Sequence, residues 1–164
     1  YHRNTTGPEI LRAFAGHRLA AFVTGWGTGG TLTGAGEVIK LARPETKVIV
    51  AEPAAASLLA GKPFAPHKIQ GWTPDFIPKV LKREVADRIV EVSDADAIAS
   101  ARALAQREGI FCGISSGGTF AAALKVAEKA PEGSVILAIL PDTGERYMST
   151  PLFEGIAEGS DPEP

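Results

Sequence analysis

The sequence is poor in features that would point to several classes of protein. It has one cysteine, so no disulfide can form within the chain, and its three histidines lack the spacing of metal ligands. No apolar run approaches twenty residues, and lysine and arginine form no cluster or basic face. We therefore expect no metal site, no membrane span and no nucleic-acid partner. No signal-peptide pattern opens the chain, which predicts a cytoplasmic location.

The rest of the composition is that of an ordinary globular protein. The chain has 164 residues, a formal net charge of −2, 45% hydrophobic and 22% charged residues. That length corresponds to about one domain. Because the sequence begins at Tyr1 rather than at methionine, we expect it to be a processed product or a portion of a longer protein.

Short apolar runs predict four β-strands, at residues 19–24, 48–51, 88–92 and 135–140. Three of them are apolar on both faces, which is typical of a parallel sheet covered by helices on both sides. Helices are predicted near residues 6–16, 30–42, 94–109 and 117–129, and we expect them to alternate with the strands. The predicted fold is a three-layer α/β domain over residues 1–157, followed by a disordered tail at 158–164.

Two further patterns concern loops and helix ends. Residues 61–80 contain four prolines and predict a long loop, which in a compact domain is usually functional. Ser93, followed by Asp94 and Asp96, predicts the N-terminal cap of the third helix, and Gly109 predicts its end.

A glycine-rich turn follows the first predicted strand and opens a helix. Its central residues are Gly27, Thr28, Gly29, Gly30 and Thr31. Glycines allow backbone N–H groups to converge, and a helix N-terminus adds partial positive charge, so the turn could bind a phosphate group without lysine or arginine. The two threonine hydroxyls could add donors.

The same turn leaves two other hypotheses open. Gly25, Gly27 and Gly30 match the G-x-G-x-x-G pattern, and Glu52 stands where a ribose-binding acid belongs, so a nicotinamide oxidoreductase is one alternative. A tight strand-to-helix turn without a ligand is the other.

A second glycine turn, at residues 113–119, favours a different ligand. Considered by itself, it is a helix start with Ser116 as the N-cap and glycines that ease helix packing. A dinucleotide fold does not call for this turn. A small aromatic phosphate ester does, because one turn could hold the phosphate while the other presents a hydroxyl to the far side of the ring.

Seven ordered motifs together resemble the cysteine synthases (O-acetylserine sulfhydrylases), which are pyridoxal-phosphate enzymes of fold type II. The resemblance runs in register from the first residues to about residue 153. The motifs are TTGPEI at 5–10, GTGGTLTG at 27–34, EP at 52–53, HKIQG at 67–71, FIP at 76–78, GISSG at 113–117 and LPDTGERY at 140–147.

The resemblance assigns roles to residues of this chain. It implies the larger, C-terminal domain of such an enzyme, with pyridoxal 5′-phosphate as cofactor. Residues 27–31 would hold the phosphate, Ser115 would face the pyridine nitrogen, and Gly71 with Trp72 would form the mouth of the active site. The lysine that binds the cofactor covalently lies upstream in the family, so we expect no catalytic residue here. We expect Lys68 to be a solvated loop residue.

The implied reaction is β-replacement. O-acetylserine would lose acetate, and sulfide would add to a bound aminoacrylate to give cysteine. We expect a homodimer or pairing with the missing N-terminal half, and we expect the isolated chain to be inactive. The alternatives are a cystathionine β-synthase-like enzyme, a sulfhydrylase using another activated serine, and an interaction module for the C-terminal peptide of serine acetyltransferase.

Several residues near the motifs allow narrower expectations. Apolar neighbours predict that Cys112 is a buried, inert thiol. We expect Asp142 to shape a turn after the last strand, and Glu145 and Arg146 to form ion pairs. The segment 72–75 departs from the small residues of many relatives, which affects the predicted shape of the mouth.

Overall fold

A four-stranded parallel sheet forms the centre of the computed structural model, which describes residues 1–156. The predicted tail at 158–164 lies outside the described residues. The strands are β1 (Leu19–Gly25), β2 (Lys47–Pro53), β3 (Arg88–Val92) and β4 (Val135–Ala138), in the spatial order β3-β2-β1-β4. All three pairings are parallel, as the apolar runs predicted.

Four helices cover the sheet: α1 (Thr6–Ala13), α2 (Gly30–Ala42), α3 (Asp94–Glu108) and α4 (Ile114–Ala127). No helix within residues 1–156 combines the length and the apolar character needed to cross a membrane. The predicted ends of α3 are confirmed: the hydroxyl of Ser93 accepts a hydrogen bond from the N–H of Asp96, and Gly109 has a left-handed φ of 67°.

Alternating residues of the strands pack into two separate hydrophobic cores, one on each face of the sheet, so the domain has three layers. Val48 and Val50 of β2 pack with α1 and α2, whereas Ile49 and Ala51 pack with α3 and α4. Successive side chains of a strand point to opposite faces, so a buried strand must be apolar throughout. The α/β architecture predicted from the sequence is confirmed.

The expected alternation of helices and strands is wrong between β2 and β4. The long loop and a short 3₁₀ turn (Arg83–Val85) join β2 to β3, and two consecutive helices then lead to β4. The prolines at 63, 66, 74 and 78 explain the missing helix, because proline cannot donate the backbone hydrogen bond that a helix interior needs.

The fourth helix begins three residues earlier than predicted. Its N-cap is Gly113, so Ser116 lies inside the first turn and is not the cap. The sequence GISSGG has poor intrinsic helix propensity, but packing of α4 against α3 overrides it. Gly117 makes that packing close: its missing Cβ would lie 2.6 Å from the backbone nitrogen of Ala101.

The order of the strands places a crevice at the carboxyl end of the sheet, between β1 and β4. The chain moves from β1 outward to β2 and β3, then returns to pair β4 with the other side of β1. At such a switch point the loops after two neighbouring strands leave in opposite directions, and ligands bind between them. Here these are the glycine turn after β1 and the Pro141–Asp142 turn after β4.

Candidate functional site

A cleft of about 350 Å³ lies at the carboxyl ends of β1 and β4. This volume is at the small end of the range typical of ligand sites. The cleft is lined by Thr24, Gly25, Trp26, Gly27, Thr31, Gln70, Gly71, Trp72, Ser115, Thr119, Ile139, Pro141, Asp142, Arg146 and Tyr147. The first glycine turn and the second glycine turn therefore line the same cleft. The loop segment 70–72, called the mouth loop below, lines it as well.

The first glycine turn presents backbone donors that are not used within the described part of the chain. The N–H groups of Gly27, Thr28, Gly29 and Thr31 meet no protein acceptor there, while that of Gly30 points to the hydroxyl of Thr28 at 3.4 Å. The first turn of α2 contains no acidic residue. Free N–H groups at a helix N-terminus fit a phosphate group, because both favour negative charge.

Two glycines of the turn are required by the backbone. Gly29 has φ +81°, and a Cβ there would also lie 2.6 Å from the Cβ of Leu81. A Cβ on Gly27 would overlap the carbonyl oxygen of Gly71. The turn and the mouth loop therefore meet backbone to backbone, leaving a cradle that a side chain would fill.

Glu52 supports the turn from inside the protein. Its carboxylate is fully buried and accepts hydrogen bonds from Trp26 Nε1 (2.9 Å), Ser57 Oγ (2.6 Å) and the N–H of Leu59 (2.9 Å). A ribose could reach it only by breaking these bonds, each of which satisfies a buried group. The acidic residue of the dinucleotide hypothesis is therefore a structural residue here.

The mouth loop crosses the cleft at Gly71 and Trp72. Gly71 has φ +84°, while the indole of Trp72 is 7% exposed and packs against Gly25 and Gly118. A Cβ on Gly118 would lie 2.8 Å from Trp72 Cη2. Trp72 thus lines the cleft as predicted, but it is also a core residue that depends on two facing glycines.

The second glycine turn places hydroxyls around a carboxylate. Ser116 Oγ donates to Asp142 Oδ1 at 3.1 Å, Ser115 Oγ lies 3.5 Å from the same oxygen, and the Tyr147 hydroxyl donates to Oδ2. Gly113 admits this carboxylate, since a Cβ there would lie 2.5 Å from Oδ1. Asp142 therefore lies at the N-terminus of α4, where the helix dipole favours negative charge.

This carboxylate changes the acidity of two neighbours. Burial, then hydrogen bonding to Asp142 and its charge, raises the pKa of Tyr147 to about 12. Burial and the same charge raise the pKa of the Cys112 thiol. A thiol that stays protonated is a poor nucleophile, which agrees with the prediction that Cys112 is inert.

The expected ion pairs of Glu145 and Arg146 are wrong for the described residues, in which neither side chain has an oppositely charged partner. Both residues are exposed, and Arg146 lines the cleft instead. No lysine lines the cleft in the described part of the chain, and Lys68 is exposed, as predicted.

The predicted site residues divide into two groups. Gly27, Thr31, Gly71, Trp72 and Ser115 line the cleft directly. Thr28, Gly29 and Gly30 complete the turn behind it, and Thr28 lines a neighbouring hollow beside the mouth loop. Within residues 1–156, no three His, Cys, Asp or Glu side chains come together as a metal site.

Several cleft residues were not assigned a site role from the sequence, among them Thr24, Gln70, Thr119 and Tyr147. Tyr147 and Gln70 stand within motifs of the resemblance, which was the available signal for them. Thr24 and Thr119 stand in a strand and a helix whose orientation only the fold decides.

Comparison with known proteins agrees with this geometry. The family described as "Pyridoxal-phosphate dependent enzyme" matches residues 2–142. The chain is 56% identical over 161 residues to O-ureido-L-serine synthase of Streptomyces lavendulae, covering 98% of the chain and 50% of that protein. It is 43% identical over 152 residues to cysteine synthase of Staphylococcus aureus (strain Mu50), covering 93% of the chain and 49% of that protein.

A solved structure shows the same fold. The crystal structure of O-ureido-L-serine synthase superimposes with a TM-score of 0.95 at 56% identity, covering 98% of this chain and 51% of that one. The chain spans about half the length of the curated relatives it matches.

Proposed function

The chain belongs to the family of pyridoxal-phosphate dependent enzymes, and from that membership we propose that it is the cofactor-binding portion of an enzyme that replaces the β-substituent of an activated L-serine. The cofactor of this family is pyridoxal 5′-phosphate. One observation carries the proposal: Gly27 and Thr31 of the first glycine turn, whose N–H groups have no acceptor among the described residues, line the same cleft as Ser115.

The residues of the cleft fit the two ends of the cofactor. The N–H groups of residues 27–31 and the hydroxyls of Thr28 and Thr31 would bind the phosphate. Ser115, 4% exposed at the start of α4, would meet the ring nitrogen with a neutral hydroxyl. When bound, the cofactor would supply an electron sink that acidifies the Cα–H bond of the substrate, so that loss of this proton allows the substituent on Cβ to leave.

The proposed first substrate is O-acetylserine. The bond between its Cβ and the acetyl oxygen breaks, acetate leaves, and a nucleophile forms the new bond to Cβ. With sulfide the product is cysteine, which is the reaction implied by the cysteine synthase motifs. Cystathionine β-synthase-like chemistry and other activated serines remain alternatives within this reaction class.

A second candidate product is favoured by the 56% identity to O-ureido-L-serine synthase, against 43% to cysteine synthase. Attack by the hydroxyl oxygen of hydroxyurea on the same carbon, with loss of the same acetate and one proton, gives O-ureido-serine. The two candidates share the cleft and differ only in the nucleophile.

The test is a direct competition. The complete protein is given O-acetylserine with equal sulfide and hydroxyurea, and both products are measured by mass spectrometry. We expect one product or both, with one acetate released for each product. Absence of both products from protein that binds the cofactor would contradict the proposal.

A variant pair checks the phosphate cradle. Gly27→Ala puts a methyl group against the Gly71 carbonyl and should weaken cofactor binding at least about tenfold, a loss of about 1.4 kcal/mol. Ser134→Ala, in a turn at the other end of the sheet, should leave binding unchanged.

The proposed partners are small molecules and further protein chain. We propose that the chain pairs with the N-terminal half of its own enzyme, which would supply the covalent lysine, and that the complete enzyme is a cytoplasmic homodimer. Binding of a serine acetyltransferase peptide at the cleft stays a prediction.

A further inference from the structure

Ser115 has one hydroxyl hydrogen, which it can donate to only one acceptor at a time. Among the described residues, its acceptors are Asp142 Oδ1, at 3.5 Å, which is the outer limit of a hydrogen bond, and the hydroxyl oxygen of Tyr147. If the hydrogen goes to a ring nitrogen, that nitrogen must be unprotonated. If it goes to Asp142, the serine oxygen can only accept, and a protonated ring nitrogen is favoured.

Asp142 is held in place by closer donors. Tyr147 donates to Oδ2 and Ser116 donates to Oδ1 at 3.1 Å, while Gly113 leaves room for the carboxylate above the start of α4. Hydrogen bonds from two hydroxyls disperse the carboxylate charge, so it competes less for the hydrogen of Ser115.

We propose that Asp142, restrained by Tyr147, is a positioning residue that sets how readily the ring nitrogen of the bound cofactor takes up a proton. The carboxylate acts through Ser115 and through its charge. Tyr147 limits both effects, because its hydrogen bond to Oδ2 takes up part of the carboxylate charge. The neutral hydroxyl of Ser115 that would face the ring nitrogen therefore has a carboxylate, that of Asp142, next to it.

The other groups facing Asp142 do not replace it in this role. Tyr147 and Cys112 both keep their protons, because burial and the Asp142 charge raise the pKa of each. Arg146 lines the cleft but is exposed, and water screens its charge. Asp142 is the acidic residue among those that line the cleft in the described part of the chain.

The test measures the protonation of a bound ring directly. The complete protein is saturated with 4-deoxypyridoxine 5′-phosphate, which has the ring and the phosphate but no aldehyde, and its ring nitrogen is titrated by ultraviolet absorbance. Asp142→Asn should lower the pKa of the ring nitrogen by about one unit, since a nearby negative charge is removed. Tyr147→Phe should raise it.

The double variant shows whether Tyr147 acts through Asp142. Asp142→Asn with Tyr147→Phe should give the same ring-nitrogen pKa as Asp142→Asn alone. A rise caused by Tyr147→Phe that persists without the carboxylate would overturn the inference, as would a fall. Tyr1→Phe, at a tyrosine that is 93% exposed, is the matched control and should change nothing.

Two more variants allow the inference to be tested even if one of the first variants does not fold. If Tyr147→Phe does not fold, Ser116→Ala removes the other donor and should shift the ring-nitrogen pKa in the same upward direction. Because this inference rests on the ring position proposed above, Ser115→Ala separates the two. No effect of Ser115→Ala on affinity or pKa contradicts the ring position, whereas an effect of Ser115→Ala without one of Asp142→Asn contradicts only the role of Asp142.

Discussion

At the scale of single residues, the cleft depends on glycines that make room for particular neighbours. Gly25 and Gly118 both pack against the Trp72 indole, and Gly113 faces the Asp142 carboxylate. In each case a methyl group on the glycine would collide with the larger group. The positions of the glycines therefore indicate which larger side chains fill the site. The dependence of Trp72 on Gly118 can be tested with a pair of variants.

We expect Gly118→Ala to destabilise the protein by about 1–3 kcal/mol, because the new Cβ overpacks against Trp72. The same change in a Trp72→Phe background should cost less, since the smaller ring leaves space. The free energy of unfolding in urea measures both costs. Equal costs in the two backgrounds would show that Gly118 and Trp72 are not coupled.

At the scale of elements, Asp87 connects the helix α2 with the strands β2 and β3. Its carboxylate accepts hydrogen bonds from Lys40 Nζ of α2 at 2.6 Å and from the backbone N–H of Val48 in β2 at 2.8 Å. Asp87 itself is the residue that precedes β3. Burial alone would raise the pKa of Asp87, but these two donors outweigh it and hold the pKa below its usual value. The ionised form is therefore preferred in the folded state.

A lowered pKa in the folded state gives stability that is present above the unfolded pKa and is lost as the pH falls through the folded one. Asp87→Asn should lower the free energy of unfolding by about 1 kcal/mol at pH 7. The difference from the unchanged protein should shrink below about pH 4. Unfolding in urea at several pH values measures it.

The matched control for that experiment is Asp75→Asn, because Asp75 is exposed and forms no ion pair within the described residues. It should leave the stability unchanged at every pH. A loss for Asp87→Asn that stays constant from pH 7 to pH 3 would show that the carboxylate charge is not the cause.

At the scale of the whole molecule, the cleft lacks one group that the proposed function needs. It has the glycine turn and the Ser115 hydroxyl that we propose as cofactor contacts, but in the described residues no lysine lines it, and the matched relatives are about twice as long. The outer strand β4 is also only half buried, with Val135 36% exposed. A parallel strand is usually covered, so further chain would fit against this edge.

We expect the 164-residue chain alone to give no product from O-acetylserine with sulfide or with hydroxyurea, because it has no cleft lysine to hold the cofactor covalently. It should still bind the non-aldehyde analogue 4-deoxypyridoxine 5′-phosphate. Adding the upstream half as a separate chain should restore turnover. Product formation by the purified 164-residue chain, with its intact mass verified, would contradict this prediction.

Local patterns were sufficient for much of this protein. The apolar runs predicted four buried parallel strands, because a strand covered on both faces must be apolar at every position. The cap at Ser93 and the glycine at 109 predicted the ends of α3, because capping depends on neighbours a few residues apart. The phosphate cradle at the first glycine turn stays a prediction, which the acceptor-free N–H groups of that turn support.

Only the tertiary structure decided how distant residues meet. It brought the carboxylate of Asp142 to the hydroxyls of Ser115 and Ser116, and it packed Trp72 against Gly25 and Gly118. It also gave Glu52 three internal donors, which removed the ribose hypothesis that spacing had left open. Contacts across the switch point depend on strand order and helix packing, and neither is written in the spacing of residues along the chain.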